Sequence, residues 1–146
     1  MPSKKQKIKQ AAPVSTAGYS LRSLRDKLGM KEGMVAAVIE APPGYAGLLG
    51  TDAFDTELDL SAYTFLHFFT PSMIALRDIF PILVSRLEKN GTLWISWPKK
   101  TAKVATDLNE NIIREIGLAN GLVDVKVCAI DETWSGLKFV YRLSDR

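Results

Sequence analysis

At 146 residues the chain is long enough for one domain with its own core and too short for two of ordinary size. It is 47% hydrophobic and 24% charged, which excludes disorder throughout, and its apolar runs are broken by charge, Pro or Gly well before membrane-spanning length. The net charge of +3 belongs to Lys4, Lys5, Lys7 and Lys9, since 19 basic residues less these four leaves 15 against 16 acidic ones.

Residues 1–18 are basic and then rich in Ala, Pro, Ser and Thr, and are expected to form a disordered tail ahead of a single domain over 19–146. Leu21, Leu24, Arg25 and Leu28 have helical spacing, with Ser20 placed to cap the helix and Gly29 to end it. Met34 to Ile39 is a continuous apolar run, as expected of a strand covered on both faces. Glu40-Ala41-Pro42-Pro43-Gly44 is a turn, and Tyr45 to Leu49 predicts a short helix closed by Gly50. Residues 51–58 predict a weak second strand anchored by Phe54, and Tyr63 to Phe69 a clear one.

Thr70-Pro71 has the form of a helix start, cap then proline. That helix should run toward Lys89, kinked or split at Pro81, and stop at Asn90-Gly91. Thr92 to Trp97 is the next strand. Asp107 with Glu110 resembles a capping box before the apolar face of Leu108, Ile112, Ile113 and Ile116. Leu122–Ile130 and Leu137–Leu143 are strands joined by a turn, which predicts an antiparallel hairpin at the sheet's edge. The alternation predicts an α/β, Rossmann-like three-layer sandwich with a mainly parallel sheet.

This order resembles class I S-adenosylmethionine (SAM)-dependent methyltransferases, which also end in a helix, a strand and an antiparallel partner. Asn90-Gly91-Thr92-Leu93-Trp94-Ile95-Ser96 is similar to a strand entry common in that group. The whole pattern is similar to a family of short bacterial proteins of unknown function. The likeness runs through Ala41-Pro42-Pro43-Gly44-Tyr45, Ser96-Trp97-Pro98-Lys99-Lys100 and Asp131-Glu132-Thr133-Trp134-Ser135-Gly136-Leu137-Lys138. It implies a fold and a single domain but no activity. Against a working methyltransferase, the turn after the first strand holds one glycine and two prolines, and the chain before Tyr63 fits only one helix and one strand, a truncated version of that fold. SAM is therefore unsupported by any glycine-rich motif, although Asp55, Glu57 or Asp59 stand where the resemblance places a ribose-binding acid.

Ligands of open α/β sheets bind beyond the carboxyl ends of the strands. Four turns should meet there, giving Glu40, Pro42, Gly44, Tyr45, Thr70, Trp97, Lys99, Lys100, Asp131, Glu132 and Trp134 as candidate ligand-binding residues. An aromatic and charged rim of this kind suits a small anionic or nucleotide-like ligand. Each residue also has a plain structural reading: Trp97 as core, Asp131 and Glu132 as hairpin-turn residues, and the lysines as a solvated pair. His67, inside an apolar strand, reads as a hydrogen-bonded buried histidine. Cys128 reads as inert, forms no internal disulfide and suits a reducing, cytoplasmic setting. No apolar stretch follows the basic N-terminus, so no signal peptide is expected. No triad, phosphate loop or metal-ligand spacing is present in the sequence, and no catalytic residue is assigned. The alternatives are a divergent SAM-dependent methyltransferase and a nucleic-acid-associated or partner-binding module that uses the Lys-rich tail.

Overall fold

A computed structural model describes residues 22–146. The Lys-rich tail and Ser20 lie outside them. The first helix, α1 (Leu24–Leu28), is capped by Ser23, whose hydroxyl accepts from the Asp26 amide, and ends at Gly29. It leads to β1 (Ala36–Ile39), α2 (Tyr45–Leu49), β2 (Tyr63–Phe69), α3 (Met73–Ser85), β3 (Leu87–Pro98), α4 (Glu110–Ala119), β4 (Leu122–Ala129) and β5 (Trp134–Tyr141). The five strands form one sheet in the order β1-β2-β3-β5-β4.

That sheet is mixed, which corrects the expectation of a mainly parallel one. β1–β2 and β2–β3 pair parallel, whereas β3–β5 and β5–β4 pair antiparallel. The short β4–β5 turn forces an antiparallel hairpin. Its second strand then inserts beside β3 instead of closing the edge. Leu137 and Phe139 of β5 are fully buried, while Val125 and Val127 of β4 are exposed, so the more apolar strand takes the interior. The weak second strand expected over 51–58 reduces to one parallel bridge, Ala37 with Asp55.

Strand alternation builds two cores. On one face Ala36, Val38, Phe65, Phe69, Trp94 and Ile130 pack with Leu24 and Leu28 of α1 and Tyr45 and Leu49 of α2. On the other, Leu66, Phe68, Leu93, Ile95, Leu137 and Phe139 pack with Leu76, Phe80 and Leu83 of α3 and with Ile113 and Ile116 of α4. The result is a three-layer sandwich. Among the described residues no helix is long and apolar enough to cross a membrane.

Four further expectations change. The α3 cap is Ser72, which accepts from the Ala75 amide, because Thr70 is held in the sheet by its own amide on the Ser96 carbonyl. α3 passes through Pro81 as a single helix; Arg77, four residues earlier, and Pro81 are both exposed, so water can serve the carbonyl that loses its donor. It stops at Arg86, whose guanidinium donates to the carbonyls of Leu58 and Leu60 at 2.8 and 2.7 Å, and Leu87 enters the sheet opposite Tyr63. Asn90-Gly91 therefore lies within β3. Asn109, not Asp107, caps α4 by accepting from the Ile112 amide.

Candidate functional site

The carboxyl edge is assembled from the four expected turns, which contact one another in sequence. Tyr45 packs edge-on against Phe69, the Thr70 amide donates to the Ser96 carbonyl, the Lys99 amide donates to the Thr133 carbonyl at 2.7 Å, and Trp134 packs edge-on against Phe69.

Local chemistry sets the first turn. β1 ends and Glu40 takes a left-handed conformation, φ 61°. The Tyr45 amide then donates to the Pro42 carbonyl, closing a tight turn with Pro43 second and Gly44 third. Gly44 has φ 87° and ψ −3°, the third-position geometry of a type II turn, which favours glycine for want of a Cβ clash. The turn delivers Tyr45 inward, where only 3% of it is exposed. Its hydroxyl pairs with Nδ1 of His67 at 2.8 Å, and Nε2 of His67 pairs with the Ser96 hydroxyl at 2.7 Å. Burial lowers the His67 pKa to about 3 and raises that of Tyr45. The imidazole is thus neutral at pH 7. The Ser96–His67 pair has the spacing of a nucleophile and its base, but both side chains are fully buried, so it is structural polar core.

The candidate residues divide accordingly. Tyr45, Thr70 and Trp97 are buried: Tyr45 in the α1/α2 core, Trp97 in the α3/α4 core, and Thr70 accepting from the Ser72 amide. Asp131 holds the hairpin turn, its carboxylate accepting from the amides of Thr133 and Trp134, both at 2.8 Å. Trp134 is half-buried over Phe69. Glu40, Gly44, Lys100 and Glu132 are exposed, and Pro42 and Lys99 partly so. Those six, with Lys103, form the accessible part of the edge. Cys128 is half-buried, and burial raises its thiol pKa, in keeping with an inert cysteine.

One feature of the edge has no counterpart in the sequence reading. An open cleft of about 450 Å³ lies between the β2–α3 and β3–α4 loops, lined by Pro71, Ser72, Ala105, Thr106 and Asp107. Thr106 donates to the Pro71 carbonyl at 2.7 Å, and the Asp107 carboxylate accepts from the Met73 amide at 2.8 Å. The cleft floor is therefore fixed by side chains that tie the two loops together, and Asp107 satisfies the first amide of α3 from another element.

The residues do not fit the usual SAM site. Two prolines remove amide donors from the turn after β1. Asp55, opposite Ala37, accepts from the Tyr63 hydroxyl at 2.6 Å and is already engaged.

No protein-family model and no curated protein matches the sequence. Solved structures do match in fold. Magnesium protoporphyrin IX methyltransferase from Synechocystis PCC 6803, determined with bound SAM, aligns at TM-score 0.58 and 15% identity over 82% of this chain and 77% of that one. Precorrin-6y C5,15-methyltransferase from Geobacter metallireducens aligns at 0.55 and 10% identity over 82% and 86%. A TehB-like SAM-dependent methyltransferase from Corynebacterium glutamicum aligns at 0.52 and 6% identity over 86% and 91%. The chain therefore has an α/β, Rossmann-like fold similar to that of class I methyltransferases. At these identities the likeness is one of fold alone.

Proposed function

We propose that the chain binds a small anionic or nucleotide-like ligand at the carboxyl edge of its sheet, over the cleft between the β2–α3 and β3–α4 loops. The observation that supports this most is where backbone strain sits. Among the described residues two non-glycine residues have positive φ, Glu40 at 61° and Lys103 at 58°. One ends β1 and the other lies in the β3–α4 loop, so both belong to this edge. Such conformations cost about 1 kcal/mol or more each and collect at ligand sites. Lys99, Lys100 and Lys103 put positive charge on the β3–α4 loop that forms one wall of the cleft, and Glu40 and Glu132, on the other turns of the edge, offer acceptors for hydroxyls or a base edge. The reading needs no catalytic group. Its test is a thermal-shift series with ATP, GTP, pyrophosphate, SAM and its demethylated product, on the native chain and on a Lys99→Gln/Lys100→Gln/Lys103→Gln variant. Stabilisation of the first but not the second is expected; no stabilisation by any of them sinks the reading.

A second reading, a divergent SAM-dependent methyltransferase, is favoured by the structural neighbours, one of which holds SAM. SAM would need holding without a glycine turn and without Asp55, leaving the exposed Glu57 and Asp59 as the nearby acids. Calorimetry with SAM decides it: absence of binding at millimolar concentration ends this reading.

A further inference from the structure

A basic cluster lies away from the carboxyl-edge cleft. β4 and β5 place Lys126 and Lys138 directly opposite one another in the ladder. Like charges in that position oppose each other. Both are half-buried. Lys27 of α1 and the exposed Lys31, in the turn beyond that helix, lie near them: the Lys126 ammonium donates to the Lys27 carbonyl at 3.0 Å, and that of Lys138 lies beside Gly29. Lys138 has its pKa lowered by burial and by the fields of Lys126 and Lys31, while Lys126, Lys27 and Arg22 all act on Cys128. Asp26 and Glu32 lie in the same stretch of chain, but Lys27, Lys31, Lys126 and Lys138 make no ion pair within the described residues.

Closing the end of α1 explains Lys126 and does not explain the others. Uncompensated cations held together by a fold call for an anionic partner. In sequence, residues 1–25 hold six basic residues and no acidic one. Trp94, the aromatic residue opposite Lys138 on β3, is fully buried, so it offers no exposed ring on which an unpaired base could stack.

We propose that this face, Lys27, Lys31, Lys126 and Lys138 with Arg22, binds the phosphate backbone of duplex DNA without reading its sequence. Recognition of this kind is electrostatic and falls steeply with salt. The experiment is fluorescence anisotropy of a labelled random duplex with the full chain at several salt concentrations. It is repeated with Lys27→Gln/Lys31→Gln, with Lys126→Gln/Lys138→Gln, with the four tail lysines changed to Gln, and with the Lys99→Gln/Lys100→Gln control. Each lysine removed from the face is expected to weaken binding about tenfold near 0.1 M salt and to flatten the plot of log K against log[salt] by about 0.9. The control is expected to bind as the native chain does, which separates this face from the ligand edge. Lys138→Gln alone, added to the series, relieves a like-charge pair, so its melting temperature should hold or rise, and it serves as the folded variant. No duplex binding by the native chain overturns the proposal. So does loss confined to the tail variant or to the control, or equal competition by polyglutamate, which would make an acidic protein the partner.

Discussion

His67 is the single histidine of the chain and is fully buried. Lowering the pH therefore perturbs one identifiable imidazole. Its two partners are hydroxyls, and neither carries a charge to balance an imidazolium. Burial pushes its pKa from 6.5 in the free side chain to about 3 in the fold. Below 6.5 the unfolded chain takes up a proton that the folded chain refuses. The stability contributed by the neutral ring is complete above pH 6.5 and is lost as the pH falls from there toward 3. The slope is up to ~1.4 kcal/mol per pH unit, so at pH 4.5 the loss reaches about 2.7 kcal/mol. That is a large share of an ordinary domain's stability of about 5–15 kcal/mol. Urea denaturation at pH 7.5, 5.5 and 4.5 measures it. A His67→Gln variant removes this proton and should lose that much less stability over the interval, whatever the carboxylates contribute. The imidazole resonances of the native protein, assigned without ambiguity, should not titrate between pH 7 and 5. A midpoint near 6.5 in the folded protein, or equal pH slopes in native and variant, would refute the reasoning.

Gly117→Ala should be severe. A Cβ there would lie 2.0 Å from Cε1 of Phe139, a fully buried ring, and overpacking of this kind costs about 1–3 kcal/mol; chemical denaturation reads it. Pro81→Ala restores an amide donor inside α3 at an exposed position and should raise stability by about 1–3 kcal/mol, visible as a higher denaturation midpoint. Glu40→Gly releases a left-handed glutamate and should gain about 0.5–1 kcal/mol in the melting curve while weakening ligand binding at the edge; equal gain with unchanged binding would remove Glu40 from the site.

The strands were the most legible part of the sequence because continuous apolar runs have few alternatives. Tyr63–Phe69 is found as expected, and Trp94 and Trp97 fall into opposite cores as their parity requires. Helix starts were less legible, since several residues in a row could cap. Thr70 loses the role because its backbone is already paired in the sheet, and Asp107 loses it because it reaches across to the Met73 amide. Both choices are made by tertiary partners that local spacing does not contain. The same holds for the candidate site. Topology brings the four turns to one edge, but the type II turn at Pro43-Gly44 sends Tyr45 into the core, where it meets His67. The basic face was invisible in sequence for a simpler reason: Lys27 and Lys126 are 99 residues apart and meet only in the folded chain, where α1 lies against the β4–β5 end of the sheet.

Isothermal titration of the native chain with ATP and pyrophosphate, repeated on the Lys99→Gln/Lys100→Gln/Lys103→Gln variant, tests the central claim most directly. Saturable binding at one site, weakened at least tenfold by the triple substitution (about 1.4 kcal/mol), is the predicted result. Absence of binding by the native chain, or equal affinity in the variant, would contradict a ligand site at the carboxyl edge.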